Sequence, residues 1–329
     1  MTRIRTGVVG VGALGRHHLR WFSQIPESHL VGFHDIDPEK RERYAAEYGV
    51  AAFATVEELA EAVDAASVAV PTTAHRAAAG ALLKRGVHCL IEKPVTSTLD
   101  EAHELAELAA ASGARVAVGH IERFNPAVQA VLRIGVRPAF IEAHRLAAFD
   151  PRGTDVAVVR DLMIHDIDLV LTLTGARVVD IQASAVAVVS DQPDIANARL
   201  TLDSGAVANL TASRISLNQM RKLRIFQRSG YFSLDLAKKQ ADLYRLAAPG
   251  EEIEGLRVPL GKSGRELIYA SHGDTGQDQL QMELSAFLRA LLDGGAMAVP
   301  LAQGIEALRV ALEVERTGRA SLARMLADG

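Results

Sequence analysis

Apolar and polar residues alternate along this chain in two different patterns, and the change between them falls near residue 120. In the first part, short apolar runs alternate with segments of helical periodicity, which is typical of βαβ units around a parallel sheet. The predicted strands are Ile4–Val9, Leu30–His34, Ser67–Val70, His88–Glu92 and Arg115–Gly119. The predicted helices are Leu14–Ser23, Pro38–Tyr48, Val56–Val63, His75–Arg85 and Leu99–Ser112. Two helix starts carry predicted capping boxes, Thr55 with Glu58 and Thr98 with Glu101.

The second part predicts a largely antiparallel sheet, because strand-like runs follow one another closely and are separated by tight turn signals. The runs are Ala139–Arg145, Val178–Val189, Ala196–Leu202, Ala206–Ser213, Lys222–Gln227 and Tyr231–Asp235. Helices are expected at Asp161–Leu173, Gln277–Leu292 and Leu301–Arg316. We therefore predict an α/β domain with a doubly wound parallel sheet over residues 1–120. An α+β domain, with an open, largely antiparallel sheet flanked by helices, is predicted over residues 121–329.

Both faces of a wide sheet must be packed against other parts of the protein, and this requirement suggests an oligomer. Helices can cover one face of the predicted second sheet, and the other face is then expected to pack against a second subunit. We therefore expect a homodimer or homotetramer formed through the C-terminal sheet.

Composition narrows the class of protein. The chain has 329 residues, which exceeds the roughly 250–300 residues of a single core. With 49% hydrophobic and 23% charged residues it matches ordinary soluble globular proteins, and a net charge of −4 argues against a nucleic-acid partner. No apolar run reaches the roughly 18 residues that span a membrane, so no membrane partner is expected. The first strand begins so near Met1 that we expect no signal peptide and a cytoplasmic location.

A glycine-rich turn follows the first predicted strand. Gly10-Val11-Gly12-Ala13-Leu14-Gly15 has the spacing with which a strand–turn–helix unit holds a dinucleotide pyrophosphate at the helix N-terminus. Asp35 closes the next apolar run, where an acid can accept the ribose hydroxyls and repel a 2′-phosphate. The pattern favours NAD over NADP, although Arg41 lies close to Asp35 in sequence.

Two further segments carry residues that can do chemistry. Lys93, in Glu92-Lys93-Pro94, follows a predicted strand at the edge where doubly wound folds bind ligands; the alternative is a solvated lysine. Asp161 and His165 are four residues apart and share one face of a helix, with Asp168 as a third polar residue. The flanking residues are apolar, so these groups must be paired. Two alternatives remain for these residues: a buried core histidine that is hydrogen-bonded to a carboxylate, or a metal site.

Together these motifs resemble the Gfo/Idh/MocA oxidoreductase family over essentially the whole chain. The resemblance rests on Gly10–Gly15, Ala69-Val70-Pro71-Thr72-Thr73-Ala74-His75, Glu92-Lys93-Pro94 and Asp161-Leu162-Met163-Ile164-His165. It implies that Pro71, Thr72 and His75 line the cofactor. It also implies that Lys93 meets the reacting hydroxyl and that Asp161 and His165 complete the site. Met163 departs from the family pattern, since many members have glycine there, and this implies a narrower pocket.

A narrower resemblance comes from Gly119-His120-Ile121-Glu122-Arg123-Phe124-Asn125-Pro126, which is similar to the UDP-N-acetylglucosamine 3-dehydrogenases of that family. Arg123 and Asn125 are then expected in the same crevice as Lys93. An arginine fork suits a diphosphate or a pair of sugar hydroxyls, and an asparagine amide suits an acetamido group. The alternative is a helix-capping Asn125 and a surface Arg123. Other candidates for a diphosphate are Arg145, Arg152, Arg214, Arg221, Lys222 and Arg224.

These assignments predict an NAD-dependent dehydrogenase that oxidises a secondary hydroxyl of a nucleotide sugar, with the 3-hydroxyl of UDP-N-acetylglucosamine as first choice. Catalysis is assigned to Lys93, His165 and Asp161. Cofactor contacts are assigned to Gly10, Gly12, Ala13, Leu14, Gly15, Asp35, Pro71, Thr72, His75, Glu92 and Lys93. Substrate contacts are assigned to Lys93, Arg123, Asn125 and His165, and no metal is expected.

In this mechanism a histidine, with an ordinary pKa of about 6.5, accepts the hydroxyl proton. Asp161 orients His165, and Lys93 stabilises the charge that develops on the substrate oxygen. The roles of Lys93 and His165 can be exchanged. Two alternatives remain: a free sugar or inositol as substrate, and a regulator that binds NAD without catalysis.

Overall fold

The computed structural model describes residues 3–149, 156–247, 255–261 and 265–327. Its contacts divide the chain into two compact units, Met1–Ile121 with Gln277–Leu308, and Glu122–Gly276 with Arg309–Gly329. The predicted division at residue 120 leaves everything that follows in the second domain. Residues 277–308 instead belong with the first unit, because Leu284 and Phe287 are buried in the core of that unit. No helix in the described part of the chain is long and apolar enough to cross a membrane.

A six-stranded parallel sheet forms the first unit. Its strands are β1 (Ile4–Val9), β2 (Ser28–His34), β3 (Ala51–Phe53), β4 (Ala65–Val68), β5 (His88–Glu92) and β6 (Val116–Gly119). The helices between them are α1 (Gly15–Phe22), α2 (Pro38–Tyr48), α3 (Val56–Ala62), α4 (Thr72–Leu83) and α5 (Leu99–Ser112). The strand order β3-β2-β1-β4-β5-β6 reverses direction between β1 and β4. In such doubly wound sheets, ligands bind beyond the carboxyl ends of the strands at this reversal.

Local sequence explains several helix starts in this unit. Thr98 accepts from the Glu101 backbone N–H at 3.3 Å, and the Glu101 carboxylate accepts from the Thr98 N–H at 3.0 Å, which completes the predicted capping box. Thr55 accepts from the Glu58 N–H at 3.1 Å, but the Glu58 carboxylate accepts from Ala54 instead of Thr55. The second predicted capping box is therefore only half formed.

A nine-stranded sheet forms the second unit, in the order β14-β15-β13-β12-β11-β7-β10-β9-β8. Its strands are β7 (Phe140–Leu146), β8 (Val178–Val186), β9 (Ile195–Leu202), β10 (Val207–Ser213), β11 (Met220–Gln227), β12 (Gly230–Asp235), β13 (Gln240–Leu246), β14 (Leu256–Pro259) and β15 (Glu266–His272). Strands β7 and β10 pair in parallel, and the other neighbours are antiparallel. The predicted fold class, a doubly wound domain and a largely antiparallel open sheet with helices, is confirmed.

Helical segments pack on one face of this second sheet. A 3₁₀ turn (Ile121–Phe124) leads into α6 (Pro126–Ile134), and a π-helical turn (Val159–Met163) leads into α7 (Ile164–Thr174). Helix α6 contacts β12, β13 and β15, whereas α7 contacts β7 and β10. The remaining helices are α8 (Gln279–Asp293) and α9 (Leu301–Ala327). The sequence pattern did not predict the 3₁₀ turn, α6 or the π-helical turn.

Candidate active site

The glycine-rich turn after β1 has the geometry that a dinucleotide pyrophosphate requires. Gly10 has a φ of +85°, and a Cβ on Gly15 would lie 1.8 Å from the Gly10 carbonyl oxygen, so side chains are excluded at both positions. A Cβ on Gly12 would meet no atom within 4 Å, which leaves open space beside the backbone there. The exposed residues Ala13 and Leu14 lead into the N-terminus of α1. This cradle fits the phosphates of NAD.

Asp35 supports this turn from the end of β2. Its carboxylate accepts from the Val11 backbone N–H at 2.8 Å and from the Asp37 N–H at 2.9 Å, and the side chain is buried. The Arg41 guanidinium donates to the Asp35 carbonyl oxygen at 2.7 Å. An acid and an arginine therefore lie together where a bound adenosine ribose would be recognised.

We expect Asp35→Asn to shift cofactor preference from NAD towards NADP. The substitution removes the negative charge that repels a 2′-phosphate and leaves Arg41 nearby to attract one. Losing hydrogen bonds to a charged group costs about 1.5–3 kcal/mol, so the ratio of kcat/KM values for NAD and NADP should fall about tenfold to a hundredfold. Asp37→Asn is the control, because Asp37 caps α2 and should leave the ratio unchanged. An unchanged ratio in Asp35→Asn would refute this role.

Two predicted cofactor residues lie at the start of α4, and a third has a different role. Pro71 is the N-cap residue and Thr72 the first residue of α4, and both retain solvent exposure. His75 is buried, with its ring nitrogens 2.9 Å from the Val70 carbonyl oxygen and 3.0 Å from that of Pro94. Burial lowers the pKa of His75 despite these hydrogen bonds. The ring therefore joins the end of β4 to the segment after Lys93, and the placement of His75 along the cofactor stays a prediction.

Glu92 likewise supports Lys93 and does not face open space. Its carboxylate lies 3.1 Å from Nε2 of the buried His18 and accepts from the Lys93 backbone N–H at 3.3 Å. A Cβ on Gly119 would lie 2.9 Å from the Glu92 carboxyl carbon, so glycine makes room for this acid. Burial alone raises the pKa of Glu92, but His18 and Lys93 outweigh it and lower the pKa, which keeps the carboxylate ionised. The Glu92 side chain therefore contacts protein groups where cofactor contact was predicted, while Lys93 remains half-exposed.

The π-helical turn of the second unit carries Asp161, and His165 follows at the second position of α7. The predicted helix over Asp161–Leu173 thus begins as a π-helical turn and becomes α-helical at Ile164. Asp161 and His165 are half-buried, in contrast to the buried carboxylates of Asp166 and Asp168. Single π turns within helices occur frequently at functional sites.

Arg123 forms a bidentate contact with a carboxylate of the same protein. Its Nε donates to Asp168 Oδ2 at 2.8 Å and its Nη2 to Asp168 Oδ1 at 2.5 Å, and both side chains are buried. A carboxylate therefore receives the two parallel hydrogen bonds from Nε and Nη2, and the assignment of this fork to a diphosphate or to sugar hydroxyls stays a prediction. The same contact gives Asp168 a charged partner within the protein.

Asn125 is a helix cap, as the alternative interpretation had it. Its Oδ1 accepts from the Ala127 N–H at 3.1 Å, and its amide donates to Glu122 Oε2 at 3.1 Å and to the Leu236 carbonyl oxygen at 2.9 Å. The side chain is buried. The structure thus gives this amide partners within the protein, and its recognition of an acetamido group stays a prediction.

The basic candidates for a diphosphate separate into buried and exposed groups. Arg145 donates to Asp166 and Glu122, and Arg214 to the carbonyl oxygens of Val156 and Pro193; both arginines are buried and already bound. Burial lowers the pKa of Arg145, but its two carboxylates more than offset this and raise it. The remaining candidates, Arg221, Lys222 and Arg224, are exposed on β11, and Arg152 lies outside the described residues.

Comparison with known proteins places this arrangement in a family. A model described as an oxidoreductase family with an NAD-binding Rossmann fold matches residues 4–120, and a GFO/IDH/MocA C-terminal domain model matches residues 137–233. A UDP-N-acetylglucosamine 3-dehydrogenase of Acidithiobacillus ferrooxidans is 40% identical, over 98% of this chain and 100% of the relative. The chain belongs to the GFO/IDH/MocA oxidoreductase family. A myo-inositol dehydrogenase of Streptomyces leeuwenhoekii is 32% identical over 63% of this chain and 69% of that relative.

Two solved structures have the same fold as this chain. The UDP-N-acetylglucosamine 3-dehydrogenase of A. ferrooxidans superposes with a TM-score of 0.87 at 38% identity, covering 97% of this chain and 99% of that one. A scyllo-inositol dehydrogenase of Lactobacillus casei with bound NAD(H) and scyllo-inositol has a TM-score of 0.76 at 18% identity, covering 97% and 98%. That likeness shows the fold alone. The predictions of an oxidoreductase and of NAD as its cofactor are confirmed.

The sequence analysis did not identify three buried residues that support the candidate site of this GFO/IDH/MocA enzyme. They are His18, which contacts Glu92, and Glu122 and Asp166, which share Arg145. His18 has a weak local signal, a histidine on the first helix after the glycine-rich turn. Glu122 and Asp166 stand beside predicted site residues in sequence, but only their common arginine partner reveals their role.

Proposed function

We propose that this chain oxidises the 3-hydroxyl of UDP-N-acetylglucosamine to the 3-keto sugar, with NAD as hydride acceptor. The full-length similarity to a protein of that activity supports the proposal, since it includes the whole second unit as well as the NAD-binding unit. The inositol dehydrogenase relatives given above match either a smaller share of the chain or only its fold. The 3-keto product would serve an aminotransferase that makes a 3-amino sugar for lipid A or a polysaccharide.

In this proposal, the residues of the chain have the following roles in proton transfer, charge stabilisation and cofactor binding. His165 accepts the proton of the 3-hydroxyl, and Asp161 orients the imidazole and stabilises its protonated form. Lys93 holds the substrate oxygen and stabilises its developing negative charge. The glycine-rich turn and Asp35 would hold the cofactor, and the bound cofactor would supply the hydride acceptor for C3. The products are the ketone, NADH and one proton.

Absorbance of NADH is the direct test. Purified protein, NAD and UDP-N-acetylglucosamine are mixed with an aminotransferase and an amino donor, which remove the ketone as it forms. Matched reactions contain free N-acetylglucosamine, UDP-glucose or myo-inositol. We expect NADH only with the acetamido sugar nucleotide. Detection of the resulting 3-amino sugar by mass spectrometry covers the case of a cofactor reoxidised in place.

The second candidate, a free sugar or inositol, is favoured by the partial match to a myo-inositol dehydrogenase. It predicts turnover of myo-inositol and no inhibition by UDP. Competition by UDP against turnover therefore separates the two candidates. Oxidation of the free polyol with no response to UDP would overturn the nucleotide-sugar proposal.

An aromatic ladder on the second sheet bears on assembly. It consists of Phe140, Phe226, Tyr231, Tyr244 and Tyr269, which lie opposite one another on five neighbouring strands with ring centroids 4.9 to 5.6 Å apart. The residues next to them in sequence are buried: Ile141, Ile225, Phe232, Leu243 and Ile268. Since successive strand residues point to opposite faces, the aromatic ladder lies on the face away from this core. We infer that a second copy of this chain covers that face, giving a homodimer or homotetramer.

We expect Tyr231→Lys to shift the native mass towards the 35.2 kDa monomer, because a charge in the middle of the aromatic ladder would be buried in the contact. Light scattering after size-exclusion chromatography measures this mass. Leu292→Lys, at an exposed position on α8, should leave the mass unchanged. A wild-type chain that runs as a monomer would refute the assembly.

A further inference from the structure

Helix α7 carries two buried carboxylates within its first turn and a half. Asp166 and Asp168 are 2% and 1% exposed, whereas His165 beside them is half-buried. A buried carboxylate is costly unless a charged partner and hydrogen bonds compensate it. Each of these two has such a partner, and the two partners come from different elements.

Arg145 on β7 binds the first carboxylate. Its Nη2 lies 2.8 Å from Asp166 Oδ1 and its Nε 3.1 Å from Asp166 Oδ2, while its Nη1 donates to Glu122 Oε1 at 2.7 Å. Arg123, in the 3₁₀ turn, binds Asp168 with two parallel hydrogen bonds of 2.5 and 2.8 Å. Glu122 and Arg123 are consecutive, and Asn125 donates to Glu122 as well. The 3₁₀ turn, β7 and α7 are therefore joined by one continuous network of charged groups.

The two carboxylates fix the rotation of α7 about its own axis as well as its position. Successive residues of an α-helix are rotated by about 100°, so Asp166 lies about 100° to one side of His165 and Asp168 about 60° to the other. The bidentate contacts of Asp166 and Asp168 lie on either side of the His165 side chain and together prevent rotation of α7 about its axis. The direction of His165 lies between them.

A π-helical turn precedes this helix, and it has its own anchor. Arg160 donates to Glu315 on α9 at 2.9 Å, next to Asp161. Buried ion pairs often contribute no more net stability than apolar residues of similar size, and in some proteins they fix one packing arrangement instead. The number of such pairs around one short helix is therefore better explained by positioning than by stability.

We propose that Arg123 and Arg145 are positioning residues, which through Asp168 and Asp166 set the rotation of α7 and hence the direction of the His165 imidazole. The inference rests on the proposed function of His165 as the proton acceptor. It gives the segment from Glu122 to Asn125 a positioning task within the protein.

The test replaces one ion pair by apolar residues of similar size, Arg123→Met together with Asp168→Leu. Such exchanges of buried pairs are often neutral for stability, so the chain should fold and bind NAD as the wild type does. We expect kcat for UDP-N-acetylglucosamine to fall about tenfold to a hundredfold with little change in KM, because a displacement of about 1 Å misaligns the base. Leu243→Ala, at a core position of β13, is the control that should lower Tm but not kcat.

A readout that does not depend on turnover separates the two proposals. Histidine NMR, with the His165 signal assigned from His165→Asn, should show a shifted or split imidazole resonance in the double variant. If the wild type oxidises none of the offered substrates, the proposed function fails, and the NMR comparison still decides the positioning role. If the double variant does not fold, Arg123→Lys provides the same comparison, since it keeps the charge but loses the fork. A folded variant with an unchanged His165 resonance and unchanged kcat would overturn the inference.

Discussion

Lys93→Met is expected to lower kcat for sugar oxidation by about 100- to 1,000-fold, the effect of removing one preorganised donor from a developing oxyanion. Methionine keeps most of the length of the side chain but cannot donate a hydrogen bond or carry charge. The Glu92 carboxylate accepts from the backbone N–H of residue 93, which the substitution leaves in place, so the strand end should keep its conformation. Initial rates of NADH formation measure the loss.

Binding of NAD should survive in this variant, because the glycine-rich turn and Asp35 are untouched. Isothermal titration of NAD checks this point. Lys84→Met is the matched control: Lys84 is an exposed lysine at the C-cap of α4 and should have no effect. Turnover near the wild-type value in Lys93→Met would exclude Lys93 from the chemistry.

His165→Asn is expected to lower kcat/KM by about 100- to 10,000-fold, the usual contribution of a general base. A base works only when it is unprotonated, so wild-type activity should fall as the pH drops through its pKa. The variant should lose this acidic limb and show a low rate that depends less on pH. Rates from pH 5 to 9 measure both effects, and His103→Asn, at an exposed position of α5, serves as control.

The same profiles decide between the two proton acceptors. If Lys93 takes the proton, the acidic limb should persist in His165→Asn and disappear in Lys93→Met. Asp161→Asn should weaken the limb only in part, because the proposal gives Asp161 the task of orienting the imidazole. A full acidic limb in all three variants would contradict both assignments.

The first unit was predictable from sequence to within a few residues. Strands β1 and β5 and helices α2 and α5 begin and end at the predicted residues. Their apolar periods, glycines and caps act over a few residues, so local sequence contains the information. Strand β3 was missed because three residues at a sheet edge are too short to show a pattern.

The second unit shows where local patterns fail. Strands β13 to β15 were not predicted, since many of their residues are polar or exposed, and β14 and β15 show no clear alternation of buried and exposed positions. The helix predicted over Asp161–Leu173 has the right place, but its first turn is π-helical. No residue type in that segment signals this turn.

Sequence alone determined the family, the fold class and the cofactor, because glycines, strand ends and caps act through their immediate neighbours. It also singled out Lys93, Asp161 and His165 as candidates for chemistry. Only the tertiary structure decided which charged residues are already bound within the protein. Arg123 has the same sequence pattern whether it faces a diphosphate or Asp168, 45 positions later. A side chain's role depends on the partner that burial brings to it, and such partners are set by packing between distant segments.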